Sequence, residues 1–292
     1  MDRRKIVDLL REDPPRLRSE LRQTWGVFWA QLKIFLSYKT WVITETLSTV
    51  ASIAMYYFMG FQVKPGQLVS AGYGSSWLAF ALVGVASTHY LWMCISRLSH
   101  TMQHEIQDGT FETIICSPIR LRSYLVGQSV RGFLVSGYFM IGALAVGTFL
   151  LGAPLVLNPG TILSSVALLL LLVSSHLGIG MAAAGIILVY KKGDPLTFLF
   201  AIFTEFFGGV LFPLQLLANY PVLWAIAKVM PYTYALEGLR KVLLSGATLL
   251  EAEVLSTVVL LVAYTSLLVP LGLFAFRRGY NRVRTEGSTA SY

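Results

Sequence analysis

The chain carries a polar segment at His104–Arg131, with the sequence HEIQDGTFETIICSPIRLRSYLVGQSVR. Long apolar runs precede and follow it. Charged side chains and irregular backbone have no partners in hydrocarbon, so this segment cannot lie inside a bilayer. We therefore predict an aqueous loop between two membrane spans, long enough to form a short helix that docks on a soluble partner.

The composition is typical of a membrane protein. Of the 292 residues, 55% are hydrophobic and 13% are charged, and the mean hydropathy is +0.65. A soluble domain carries about 25% charged residues. The net charge of +8 does not indicate nucleic acid, because the basic residues lie mainly at the ends of apolar runs. Cys94 and Cys116 are far apart and form no disulfide framework or zinc pattern.

The apolar runs predict an all-α polytopic protein with six transmembrane helices, since about 20 residues cross a bilayer as a helix. Breaks at Gly208-Gly209 and Pro213 interrupt the fifth run. The pieces that follow are too short to cross, so we predict re-entrant helices over about 206–250. The six spans are expected at about 41–61, 77–95, 130–151, 162–190, from 196 onward, and 254–276.

The N-terminal part predicts an amphipathic helix. Apolar residues recur at three- and four-residue steps from Arg16 to Tyr38, with charged residues on the other side. Trp25 and Trp29 on the apolar face favour a helix in the membrane interface, although a soluble helix packed on a partner has the same pattern. The predicted organisation is a cytoplasmic N-terminus at 1–40, a transmembrane domain at 41–276 with a loop at about 98–129, and a basic tail at 277–292.

The distribution of basic residues predicts the orientation. With six spans, both termini lie on one side. That side then holds most of the 23 Lys and Arg residues and should be cytoplasmic. The opposite side keeps only Lys64, Lys228, Arg240 and Lys241.

The run Gly109–Pro118 resembles the loop between spans two and three of type-2 ABC exporter permeases. In that family an acidic residue, Gly-Thr, Glu, a few apolar residues and Pro form a coupling helix that sits in a groove of the ATP-binding subunit. The resemblance implies an ATPase-coupling site here, where carboxylates offer charge partners and apolar side chains offer a docking knob. Its candidate residues are Glu105, Asp108, Gly109, Thr110, Phe111, Glu112, Ile115 and Pro118.

A second resemblance to the same family covers Phe207–Pro213, Tyr220-Pro221, Met230–Tyr234 and Glu237–Arg240. It implies re-entrant helices that cap the outer end of a translocation path. The chain has no GxxxxGK[ST] phosphate loop. The resemblance therefore implies a non-catalytic subunit that binds no cofactor itself, with ATP and Mg in two copies of a separate ATPase subunit. It also implies a self-dimer, or a pair with a close homologue, in a prokaryotic plasma membrane.

Polar and aromatic residues in or near the spans are candidates for the path or its outer gate. Glu45 is costly in hydrocarbon and marks a functional site, unless it lies at the interface. Tyr56 could line a path or belong to an aromatic belt. We expect Glu205 to pair with Arg240 or Lys241. The candidates are Glu45, Tyr56, Glu205, Phe212, Pro213, Tyr232, Glu237 and Arg240.

The transported substrate is open at this stage. Apolar spans with few buried charges favour a hydrophobic or amphipathic small molecule, such as a drug, an antibiotic or a lipid, and a lipid-linked polysaccharide is the alternative. Two other classes remain. A secondary carrier or channel would show helix breaks at mid-membrane, and a polytopic membrane enzyme would need the His100, His104 and Glu105 group.

Overall fold

A computed structural model describes residues 17–61, 68–69, 73–190 and 194–286. Every regular element in these ranges is helical, which confirms the all-α prediction. The α-helices are α1 (Leu17–Ser37), α2 (Lys39–Gly60), α3 (Trp77–Trp92), α4 (Leu98–Gln107), α5 (Phe111–Cys116), α6 (Leu121–Ala145), α7 (Pro159–Tyr190), α8 (Asp194–Phe207), α9 (Pro221–Val229), α10 (Pro231–Ser245) and α11 (Ala252–Glu286). Single turns of π-helix follow α3 at Met93–Arg97 and α6 at Val146–Leu150, and a 3₁₀ segment lies at Leu214–Asn219.

Five described helices are long and apolar enough to cross a bilayer, rather than the six expected. They comprise α2, α3 with its π turn, α6 with its π turn, α7 and α11. The expected fifth span corresponds to α8, which has only 14 residues. At 1.5 Å per residue it is about 21 Å long, shorter than the roughly 30 Å of hydrocarbon. A glycine pair ends α8 before it can cross.

Two helix boundaries differ from the sequence prediction. The third span was expected from about 130, but α6 begins at Leu121. Its first turns pack on α1: a Cβ at Gly127 would lie 2.8 Å from the Val27 Cβ. The last helix continues to Glu286, beyond the predicted end at 276. The helical path that begins with α3 also continues past Arg97 through α4.

Helix α3 forms the centre of the bundle. Its residues from Ala79 to Val83 are almost fully buried. It packs against α2, α6, α8 and α10, and α10 in turn packs on α7 and α11. This central helix therefore positions the elements that carry the candidate path residues.

Glycines allow the closest helix contacts in the bundle. A Cβ at Gly272 of α11 would collide with the Gly178 backbone of α7, and one at Gly279 would collide with Gly185. A Cβ at Gly180 would collide with the Cys94 carbonyl oxygen beside α3. Small residues permit this approach between helices in a membrane, and here they hold α7 against two neighbouring segments of the same chain.

Candidate functional site

The predicted docking segment is a helix–turn–helix connection between α4 and α6. The turn after α4 contains Gly109, with a positive φ of 70° that favours glycine. The short helix α5 follows, and the chain re-enters a helix at Leu121. Asp108, Thr110 and Pro118 are exposed. The short helix that the sequence predicted in this loop is therefore present, on a surface open to a partner.

The Glu105 carboxylate accepts hydrogen bonds from within the connection between α4 and α6. The Tyr124 hydroxyl of α6 donates to Glu105 Oε1 at 2.8 Å, and the Thr110 hydroxyl donates to the other carboxylate oxygen. Gln128 Nε2 donates to the Tyr124 oxygen at 3.1 Å. One carboxylate therefore links the end of α4, the turn that precedes α5 and the start of α6.

Helix α1 is tied to the same segment. Gln23 Nε2 donates to the Pro118 carbonyl oxygen at 3.1 Å, and the Arg120 backbone N–H donates to Gln23 Oε1 at 3.2 Å. Glu20 forms an ion pair with the Arg120 side chain. These partners lie about a hundred positions apart in sequence, so no local motif could have found them. The side chain of Gln23 acts as a clamp that holds the C-terminal end of the docking segment against α1.

Other predicted residues of this region take simpler positions. Phe111, Glu112 and Ile115 lie on α5, but their side-chain placements fall outside the described residues. Trp25 and Trp29 are 59% and 43% exposed on α1. Their rings form an edge contact, with centroids 5.7 Å apart. A paired exposed indole surface of this kind suits the headgroup region of a bilayer.

Arg240 of α10 is fully buried, at 0% exposed. It donates to the carbonyl oxygens of Gly209 at 2.8 Å and Val210 at 2.7 Å, and more weakly to Phe80 at 3.4 Å. The guanidinium also lies 3.5 Å from the Phe80 ring centroid. Burial lowers the pKa of Arg240 to about 10, so it is charged at neutral pH. It satisfies backbone carbonyls that are released where the chain breaks after α8.

Tyr232 and Glu237 join the same region from α10. The Tyr232 hydroxyl lies 2.8 Å from the Ser87 hydroxyl of α3, and Tyr232 is fully buried. The Tyr73 hydroxyl donates to Glu237 Oε1 at 3.3 Å. Helix α10 thus begins beside the middle of α3 and runs toward the start of α3. Phe212, half-buried against Phe206, and the buried Pro213 lie on the connection between α8 and the 3₁₀ segment.

Glu205 has a different partner from the one expected. The Trp92 indole N–H of α3 donates to Glu205 Oε2 at 3.0 Å. Lys241 pairs with Glu253 at 3.2 Å, while the Arg240 side chain is occupied by backbone carbonyls. The expected pairing is wrong because Glu205 faces Trp92 at the end of α3, whereas Arg240 lies beside Phe80 near the start of α3. Tyr56 of α2 is half-buried and lies within electrostatic range of Glu205.

Glu45 lies apart from the outer residues, in a polar cleft of about 690 Å³ between α2, α3, α4 and α6. The cleft also takes in Glu105 and Asp108 of the docking region. Carboxylates, histidines and aromatic rings share its wall. Its lining residues are Gln31, Trp41, Glu45, His89, Trp92, Met93, His100, Thr101, His104, Glu105, Asp108, Gln128, Arg131, Val135, Ser136 and Phe139.

The fold and these sites define a multi-pass helical membrane protein with an exposed connection whose two ends are held by hydrogen bonds. A family model described as ABC-2 type transporter matches residues 22–244, which is most of the chain. The chain therefore belongs to the ABC-2 type transporter family and is the permease component of an ABC transporter. Members of this family normally pair with an ABC ATP-binding subunit. A comparison with curated proteins gives no match.

Proposed function

We propose that this permease exports a hydrophobic or amphipathic small molecule from a prokaryotic cell, powered by ATP hydrolysis in two copies of a partner ATPase. Two copies of the chain, or one copy and a close homologue, enclose the path. Both termini and the docking segment face the cytoplasm. ATP and Mg bind to the partner subunit, and no nucleic acid takes part.

The observation that carries this proposal is the bracing of Asp108–Pro118. The segment exposes a turn and a short helix, yet its two ends are fixed by Glu105 to Tyr124 and by Gln23 to the Pro118 carbonyl. A solvated linker needs no such support. A segment that receives a force from a motor does, because the force would otherwise be lost in loop motion.

The mechanism follows from these connections. Closure of the ATPases on ATP displaces α5, and the Glu105 contact passes the displacement to α4 and α6. Since α4 continues helically into α3, the movement reaches the turns that carry Trp92, Ser87 and Phe80. Those residues contact α8 and α10 and the break between them. The break then acts as the outer gate, with α9 and α10 as re-entrant helices. Such coupling requires the ATPase to favour one of two permease states.

Co-purification tests the proposal. The tagged chain, extracted from its native membrane in mild detergent, should bring down an ATPase subunit in stoichiometric amount. Phe111→Ala and Glu112→Ala should abolish ATP-dependent transport by the complex in lipid vesicles while the protein still inserts and folds. Gln107→Ala is the control, since this exposed residue lies on the same connection but outside the resembling motif. Normal transport by both docking variants would overturn the docking assignment.

A further inference from the structure

The cleft around Glu45 has the chemistry of a ligand site. Its volume of about 690 Å³ lies within the roughly 300–1,000 Å³ that hold small-molecule ligands. Its wall includes three carboxylates against one guanidinium, that of Arg131. Arg131 is 7% exposed and lies over the Phe35 ring of α1, 5.6 Å from the centroid. The guanidinium is therefore held against α1 while the carboxylates give the cleft a negative balance.

Glu45 stands between two aromatic contacts. Trp41, Glu45 and Thr49 are spaced four residues apart on α2 and so share one helix face. The Trp41 ring packs edge-on against Phe139 of α6, with centroids 6.2 Å apart. Thr49 reaches the His89 ring of α3 at 3.4 Å, and that ring stacks on Phe139 at 5.1 Å. The carboxylate thus faces a wall made of an indole, a phenyl and an imidazole ring.

The Glu45 carboxylate remains available to a ligand. Within the part of the chain that the structure describes, it accepts no side-chain hydrogen bond and forms no ion pair. Glu105, in contrast, is bound by Tyr124 and Thr110. A half-buried carboxylate on a spanning helix is costly unless it is paired, so a ligand that brings a positive charge would complete this site.

We propose that the cleft binds an amphipathic organic cation, with its charge against Glu45 and its aromatic body on the Trp41, Phe139 and His89 rings. A carboxylate beside aromatic faces is the arrangement that attracts organic cations. The site lies near the beginning of α2 and opens toward the docking segment through His104 and Asp108. It is the loading position for the exporter proposed above and rests on that proposal for its role, though binding itself is measured without transport.

The test uses two ions of the same shape and opposite charge. Tetraphenylphosphonium and tetraphenylborate are each measured by equilibrium dialysis against the full chain in lipid nanodiscs, with protein-free nanodiscs subtracted. We expect saturable binding of the cation only. Glu45→Gln should weaken it about tenfold, as expected for the loss of one partly desolvated charge contact near aromatic rings. Glu45→Asp should retain most of the binding.

Glu253→Gln is the matched control, because it removes the charge of an exposed carboxylate outside the cleft. Unchanged cation binding by Glu45→Gln, equal weakening by Glu253→Gln, or saturable binding of the borate would overturn the proposal. Capture of the ATPase subunit is measured on the same preparations. Normal capture without cation binding refutes the ligand class alone, whereas failure of the unaltered chain to capture an ATPase subunit refutes the exporter assignment.

Discussion

Replacing Arg240 by methionine should destabilise the part of the bundle around the break after α8. Methionine fills much of the same space but cannot donate, so the Gly209 and Val210 carbonyl oxygens would lose bonds of 2.8 Å and 2.7 Å. Hydrogen bonds to a charged group contribute about 1.5–3 kcal/mol each. Relief of the buried charge offsets part of that loss. We expect a net destabilisation of about 3 kcal/mol.

The measurement is thermal unfolding of the detergent-solubilised protein, followed by tryptophan fluorescence, together with amide hydrogen exchange after α8. Arg240→Met should melt several degrees lower and should exchange faster around Gly209 and Val210. Arg240→Lys should fall between the wild type and Arg240→Met, because an ammonium keeps the charge but cannot bind two carbonyls as a planar fork does.

The neighbouring residue supplies the control. Lys241 pairs with Glu253 at the surface, and an exposed pair of this kind contributes less than about 1 kcal/mol. Lys241→Met should therefore melt close to the wild type. If Arg240→Met melts no lower than Lys241→Met, or if exchange after α8 is unchanged, the reasoning that the guanidinium holds this break together is refuted.

Three further outcomes follow from the packing. Gln23→Ala should reduce ATP-dependent transport in vesicles without loss of membrane insertion, because two bonds to the docking segment of about 1 kcal/mol each disappear; unchanged transport would contradict the clamp. Gly272→Leu should prevent stable accumulation in the membrane, because the new side chain collides with α7, whereas Gly142→Leu, with open space around it, should be tolerated. Trp92→Phe should lower the melting temperature by leaving Glu205 without its donor, and the loss should shrink in a Glu205→Leu background, as a double-mutant cycle would measure.

The connection between α4 and α6 shows what the local sequence alone could predict. The polar residues of His104–Arg131 predicted an aqueous loop with a short helix, and α5 confirms that helix. The sequence could not predict that Glu105 braces the segment, because its role depends on Tyr124 lying across from it after α6 has folded back. The start of α6 was missed for a similar reason: the stretch that follows Leu121 is too polar to be recognised as a span, but it packs on α1 at Gly127.

The predicted fifth span shows what the local sequence could not predict. Gly208-Gly209 and Pro213 correctly predicted a break, yet the pairing expected for Glu205 was wrong. Charge alone suggested Arg240 or Lys241 as its partner. The guanidinium is instead drawn to the carbonyl oxygens that the break itself releases, and Glu205 accepts from Trp92. A choice among donors in a buried site depends on which acceptor lies within about 3 Å, which a one-dimensional pattern does not contain.

The sequence by itself determined the helical membrane class, the family resemblance and the presence of a short helix in the polar connection, because apolar run length and short motifs act locally. The tertiary structure decided which polar groups are already satisfied and which face a cavity. By sequence, Glu105 and Glu45 are both carboxylates at the end of the bundle that is predicted to be cytoplasmic. Folding gives the first a tyrosine donor and leaves the second open to the cleft, because hydrogen-bond satisfaction depends on atoms that only packing brings together.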